Sequence, residues 1–210
     1  MALRKIGDID ASEGKYAEAH LCFEQSLAIH RELKDKFGMM RVFTSLGEIA
    51  RAQDDYAQAE IFYRESMALA DELNNSWNRD LLLDNLASVA QHRGEYVQAQ
   101  MYFQKMLGLS HKAKAAMDCA GYLAGLAGVA AASGNPGQGA KLFAAVKSQL
   151  DFLGARLDYA DHAEYERNLA AVRIQMEDDE FESAWAEGLA MTLEQAIDFA
   201  LAADDGPEMK

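Results

Sequence analysis

Residues 6–23 read IGDIDASEGKYAEAHLCF, and the same layout returns as LGEIARAQDDYAQAEIFY at 46–63, LASVAQHRGEYVQAQMYF at 86–103 and LAGVAAASGNPGQGAKLF at 126–143. The shift is 40 residues each time, and the same slots keep register through all four copies. Ile6-Gly7 becomes Leu46-Gly47, Leu86-Ala87 and Leu126-Ala127. Gly14 becomes Asp54, Gly94 and Gly134, and Tyr16 becomes Tyr56, Tyr96 and Pro136. Ala19 becomes Ala59, Ala99 and Gly139, and Phe23 becomes Tyr63, Phe103 and Phe143. A shared register across so many slots marks a repeated structural unit rather than a biased composition.

Each unit divides into two helices. In the second, helix A spans about Phe37 to Gln53 and helix B about Tyr56 to Leu73. A small or polar pair stands between them (Gly14-Lys15, Asp54-Asp55, Gly94-Glu95, Gly134-Asn135). Glycine there takes the left-handed conformation that ends helix A. Asp55 and Asn135 suit the N-cap of helix B, and Pro136 suits its first turn, where no N–H is required. Ala59, Phe62, Tyr63, Ser66 and Met67 fall on one side of helix B and mark its buried face. The small residues at 7, 47, 87 and 127 let helix A approach its partner, and the aromatics at 23, 63, 103 and 143 fill the space beside it.

These residues resemble the tetratricopeptide repeat, with Leu-Gly in helix A and Gly-x-Tyr-x-x-Ala-x-x-x-Phe across the turn into helix B. Ile6-Gly7, Gly14, Tyr16, Ala19 and Phe23 carry the pattern first. The fourth copy departs from it at Pro136 and Gly139, and the unit is longer than usual. The resemblance implies an all-α fold, a right-handed α-solenoid of about four helical hairpins with C-terminal capping helices. The organisation expected is a repeat array over 1–150 (units 1–36, 37–76, 77–116 and 117–150), a helical cap over 151–203 and a disordered tail over 204–210. Past Leu150 the period is lost. An irregular connection is expected from Asp151 to Asp161, then a helix to about Met176, a short helix carrying Phe181 and Trp185, and a last helix opened by a Thr192/Gln195 capping box.

Composition narrows the function. The 210-residue chain is half apolar, so it can bury a core, and its two prolines leave long stretches open to helix. A net charge of −14 repels nucleic acid and anionic membranes and favours a basic peptide as partner. Cys22 and Cys119 form no CxxC pair and read as small buried hydrophobes in a reducing, cytoplasmic setting. The five histidines make no metal-ligand spacing, and the sequence holds neither GxxxxGK[ST] nor GxGxxG. Gly121, Gly125 and Gly128 sit in a helical pattern, where close packing explains them. The reading is therefore a non-catalytic chain with no cofactor and no metal site.

In tetratricopeptide arrays the outward positions of helix A line a concave groove. The resemblance places Arg4, Asp8 and Ser12 there, then Arg41, Thr44, Glu48 and Arg51. It adds Leu81, Asp84, Ser88, Gln91 and His92, and the bare wall of Gly121, Ala124, Gly128 and Ala131. Mixed charges of this kind suit an extended peptide or a partner helix. The lysine and asparagine set of a carboxylate clamp is missing from these positions.

Tyr165-Glu166-Arg167, Phe181-x-x-x-Trp185-Ala186-Glu187-Gly188 and Leu193-Glu194-Gln195-Ala196-Ile197 are similar to a second pattern. It is the C-terminal end of the repeat domain in LuxR-type and related ATP-dependent bacterial transcriptional regulators. That resemblance implies a sensor or regulatory region for a signal or partner protein, with the nucleotide- and DNA-binding parts outside this chain. The alternative is a free-standing scaffold for protein assembly.

Overall fold

The computed structural model describes residues 2–202, and all side chains among them except those of Trp77 and Asp80. The tail expected over 204–210 lies outside the described residues. Eleven helices form the described chain: α1 (Ala2–Ser12), α2 (Tyr16–Glu32), α3 (Lys36–Ala52), α4 (Tyr56–Glu72), α5 (Ser76–His92), α6 (Tyr96–Lys112), α7 (Ala116–Ala132), α8 (Pro136–Leu153), α9 (Tyr159–Gln175), α10 (Asp178–Leu189) and α11 (Leu193–Ala202). The all-α class of stacked helical hairpins expected from the sequence is what forms. No helix among the described residues is long and apolar enough to cross a membrane.

The period has a finer structure than its side chains reveal. From α2 to α7 every helix has 17 residues and is followed by a three-residue turn, so the repeat is two equal halves. Gly14, Lys34, Asp54, Asn74, Gly94, Lys114, Gly134 and Gly154 all have positive φ, one at the end of each helix from α1 to α8. The next residue then donates its N–H five residues back, as in Asp55 to the Ala50 carbonyl at 2.9 Å and Asn135 to the Ala130 carbonyl at 2.8 Å. These are Schellman closures, which satisfy the last carbonyls of each helix. Glycine serves half the ends; lysine, asparagine and aspartate accept the left-handed conformation at the others. At the helix starts, Asp55 accepts from the Gln58 N–H, and Asp35 and Asn75 do the same for Gly38 and Asn78. Asn135 makes no such bond, so α8 starts on Pro136 alone.

The chain divides into two compact units, Met1–His92 with Asp158–Glu164, and Arg93–Leu157 with Tyr165–Lys210. α9 begins in the first unit and continues in the second. In the first unit α1 to α4 form two hairpins and α5 packs on α4. Ala19, Phe23, Ala59 and Tyr63 are sealed from solvent. A Cβ on Gly47 would enter the Tyr63 ring, which explains why the small slot precedes the aromatic one. Tyr16 and Tyr56 open α2 and α4 in matching half-buried positions.

In the second unit α6, α7 and α8 pack in succession, with α10 on α8 and α11 against α6, α7 and α8. Phe103 and Phe143 fill their slots, but the glycine that receives Phe103 is Gly125 on α7. α8 runs to Leu153, so only residues 154–158 of the expected connection are irregular. Gly188 seats α10 directly on the α8 backbone: a Cβ there would collide with the Lys141 carbonyl oxygen. Phe181 stacks on Trp185 with ring centres 5.4 Å apart. The Thr192/Gln195 capping box forms in both directions, at 2.9 and 3.2 Å.

Candidate functional site

Helix geometry places residues three and four apart on one face. In the first unit this aligns Arg4 and Asp8 on α1, Arg41, Thr44, Glu48 and Arg51 on α3, and Asp84, Ser88 and Gln91 on α5. Arg4, Asp8, Arg41, Thr44 and Glu48 border an open cleft of about 340 Å³, together with Phe37, Ser45, Asn78, Leu81 and Tyr159. Arg4 donates to Asp8 at 2.7 Å, and the Arg41 guanidinium lies 5.9 Å from the centre of the Phe37 ring. Burial raises the Asp8 carboxyl above the ordinary carboxylate range. Ser12 turns back to the Ile9 carbonyl at 2.7 Å.

The far end of the same face is covered by the chain itself. Asp158 caps α9, its carboxylate accepting the N–H groups of Ala160 and Asp161. The first turns of the helix then lie on α3 and α5. Tyr159 donates its hydroxyl to Glu48 at 3.0 Å. Arg51, 3 % exposed, donates to Asp161 at 2.5 Å, Glu164 at 2.8 Å and Ser88 at 3.2 Å. His92 lies 3.4 Å from the other Glu164 oxygen and stacks on Tyr56 with ring centres 3.7 Å apart. Arg51, which the sequence places on a groove wall, is therefore buried against residues 158–164 with Ser88 bonded beside it, and Gln91 on the same wall is buried too. In the second unit Ala124, Gly128 and Ala131 are also buried, on a helix packed by α6, α8 and α11.

One guanidinium here serves several carboxylates, and their proton affinities diverge accordingly. Burial and the charge of Asp158 push Glu48 up to about 8, against the pull of Tyr159 and Arg51. Burial and Asp158 likewise raise Asp161 to about 6. Asp84 is raised well above its ordinary value by burial and by Asp161. For Glu164 burial acts upward, but Arg51 and His92 outweigh it and hold the carboxyl low. Among the described residues no group of three or more His, Cys, Asp or Glu is arranged to hold a metal ion.

The raised Glu48 has a measurable consequence. Between its ordinary value of 4.5 and about 8, folded Glu48 keeps a proton that the unfolded chain has released. Stability is then full below the lower value and falls as pH rises through the upper one. The loss expected from pH 5 to pH 9 is on the order of 2 kcal/mol, part of the shift being screened at this half-buried site. Glu48→Gln should flatten the slope in urea titrations at stepped pH, leaving the smaller fall due to Asp161. An unchanged slope would show that Glu48 ionises freely.

Five groove positions from the sequence thus meet at the cleft (Arg4, Asp8, Arg41, Thr44, Glu48), and five lie at or beside the covered end (Arg51, Asp84, Ser88, Gln91, His92). Sequence reasoning missed Tyr159, Asp161 and Glu164. Their signal was an acidic pair three apart at the start of α9, within the string DYADHAE over 158–164.

The sequence model of the tetratricopeptide repeat family matches residues 1–72. Those residues form two helical hairpins. The matched segment spans α1 to α4 and supplies Arg4, Asp8, Arg41, Thr44, Glu48 and Arg51. No curated protein matches the chain significantly. Tetratricopeptide arrays are in general protein-interaction scaffolds, typically without catalytic activity.

Proposed function

We propose that this chain is a non-catalytic module that binds a protein or peptide segment in the cleft bordered by α1, α3 and α5. The observation that carries the reading is the open, mixed-charge cleft of about 340 Å³ on the inner faces of the matched hairpins, with exposed Leu81 and the Phe37 ring on its walls. Two guanidiniums, a hydroxyl and an amide offer side-chain hydrogen bonds to an extended or helical segment, and the apolar walls take its side chains. We further read the chain as the sensor or regulatory part of a larger cytoplasmic bacterial regulator. The stacked Phe181–Trp185 pair and the capping box at Thr192 support this, since both belong to the string that resembles such proteins.

The test is selection of a peptide display library against the immobilised full chain. Enriched segments should lose about tenfold in affinity with Arg41→Glu or Leu81→Glu, while urea denaturation of each variant stays close to wild type. Failure to enrich any sequence, or enriched sequences indifferent to both substitutions, would overturn the reading.

A further inference from the structure

We propose that the covered end of the groove is a receptor for an acidic helical segment, and that residues 158–164 are its built-in occupant, which an outside partner must displace. The inference rests on the groove being a binding surface and names the chemistry of what enters it.

The first support is the composition of the covered surface. Arg51, Asn85, Ser88 and Gln91 are each buried to 5 % exposure or less. Side chains of this kind belong on a wet face; apolar residues would hold a permanent contact at least as well. Arg51 among them is held directly by Asp161 and Glu164, and it donates to Ser88 beside that contact. The same face of α5 also carries an unmet acceptor, since the buried Gln91 Oε1 has no hydrogen-bond partner. An unmet acceptor is a penalty that a permanent core avoids and a displaceable contact tolerates.

The second support is how the occupant is recognised. Arg51 uses both terminal nitrogens on two carboxylates of a single helix, Asp161 and Glu164, three positions apart and so on one face. Planar, two-pronged donation of this sort selects paired carboxylates. Tyr159, two residues before Asp161, anchors the segment to Glu48. The recognised pattern is therefore a tyrosine followed by acids at the second and fifth positions on a helix.

The third support is the tension in the contact. Burial and the charge of Asp161 hold the Asp84 carboxyl on α5 well above its ordinary value, so the segment sits over this end of the groove only while Asp84 keeps its proton. The connection into the segment, residues 154–158, is non-helical and begins at the left-handed Gly154. The net charge of −14 favours basic partners at long range, yet the contacts at 2.5 to 2.8 Å favour an acid. At that separation ionic screening is weak and the local pairing decides.

The experiment uses a labelled peptide of residues 155–176 as probe, added to the full chain and followed by fluorescence anisotropy. An occupied site lowers apparent affinity by the fraction of molecules in which it is open. Asp161→Asn with Glu164→Gln keeps the shape of the occupant and weakens its hold. That double variant should bind the peptide about 10- to 100-fold more tightly than wild type, and adding Arg51→Met should abolish the gain. Equal affinity in wild type and a folded double variant overturns the proposal, as does a gain that survives Arg51→Met. Should the double variant not fold, excess peptide on the wild-type chain is the substitute: faster hydrogen exchange at residues 160–164 supports displacement, and unchanged exchange overturns it. Library-selected segments that depend on Arg41, with this series flat, would sink the proposal and leave the functional reading standing.

Discussion

Arg51→Ala should lower the stability of the chain by about 3–5 kcal/mol, the largest loss expected from any single polar substitution in the first unit. The guanidinium is 3 % exposed and pairs with the buried Glu164 and the part-buried Asp161. Removing it takes that counter-charge from both carboxylates, and Glu164 cannot regain its hydration without moving α9. The loss should shrink towards neutrality when Arg51→Met is combined with Asp161→Asn and Glu164→Gln, because the penalty lies in the stranded charges rather than in a missing attraction. Urea denaturation followed by circular dichroism reads both numbers. An Arg51→Ala loss under about 1 kcal/mol would mean the site is wet and the pairing is a surface one.

Phe143→Ala should cost about 3–5 kcal/mol in the second unit. The ring is fully buried, and Tyr165 meets it edge-on with centres 5.1 Å apart and planes at 90°. The Tyr165 hydroxyl also donates to the Phe143 carbonyl at 3.2 Å, so the ring and its backbone are fixed together. Phe143→Leu, which keeps most of the volume, should cost less than about 1.5 kcal/mol. The comparison matters because this copy has lost its turn aromatic to Pro136 and its alanine to Gly139. A mild effect of the alanine variant would mean that the fourth copy of the pattern is a relic, not a packed hairpin.

The hairpins were legible because their requirements are local and repeated. A small residue at Gly47 and a ring at Tyr63 solve one packing problem, and the solution recurs at fixed spacing. Three of the helix ends escaped notice because Lys34, Asn74 and Lys114 adopt the left-handed conformation without being glycine. The cleft residues on α1 and α3 were legible for the same reason as the hairpins: position on helix A fixes their face. The cover over Arg51 was not. Arg51 and its acids are 110 and 113 residues apart, and with 34 acidic residues no pairing stands out from the string. Only the fold brings the start of α9 to that face.

A double-mutant cycle between Arg51 and Glu164 in the full chain tests the central claim most directly. If the start of α9 is held on the polar face of α3 by this pair, Arg51→Met and Glu164→Gln should each destabilise. Their combination should then fall short of the sum by about 1.5 kcal/mol or more. Effects that add to within about 0.5 kcal/mol would contradict it, leaving the two residues uncoupled and the groove free along its whole length.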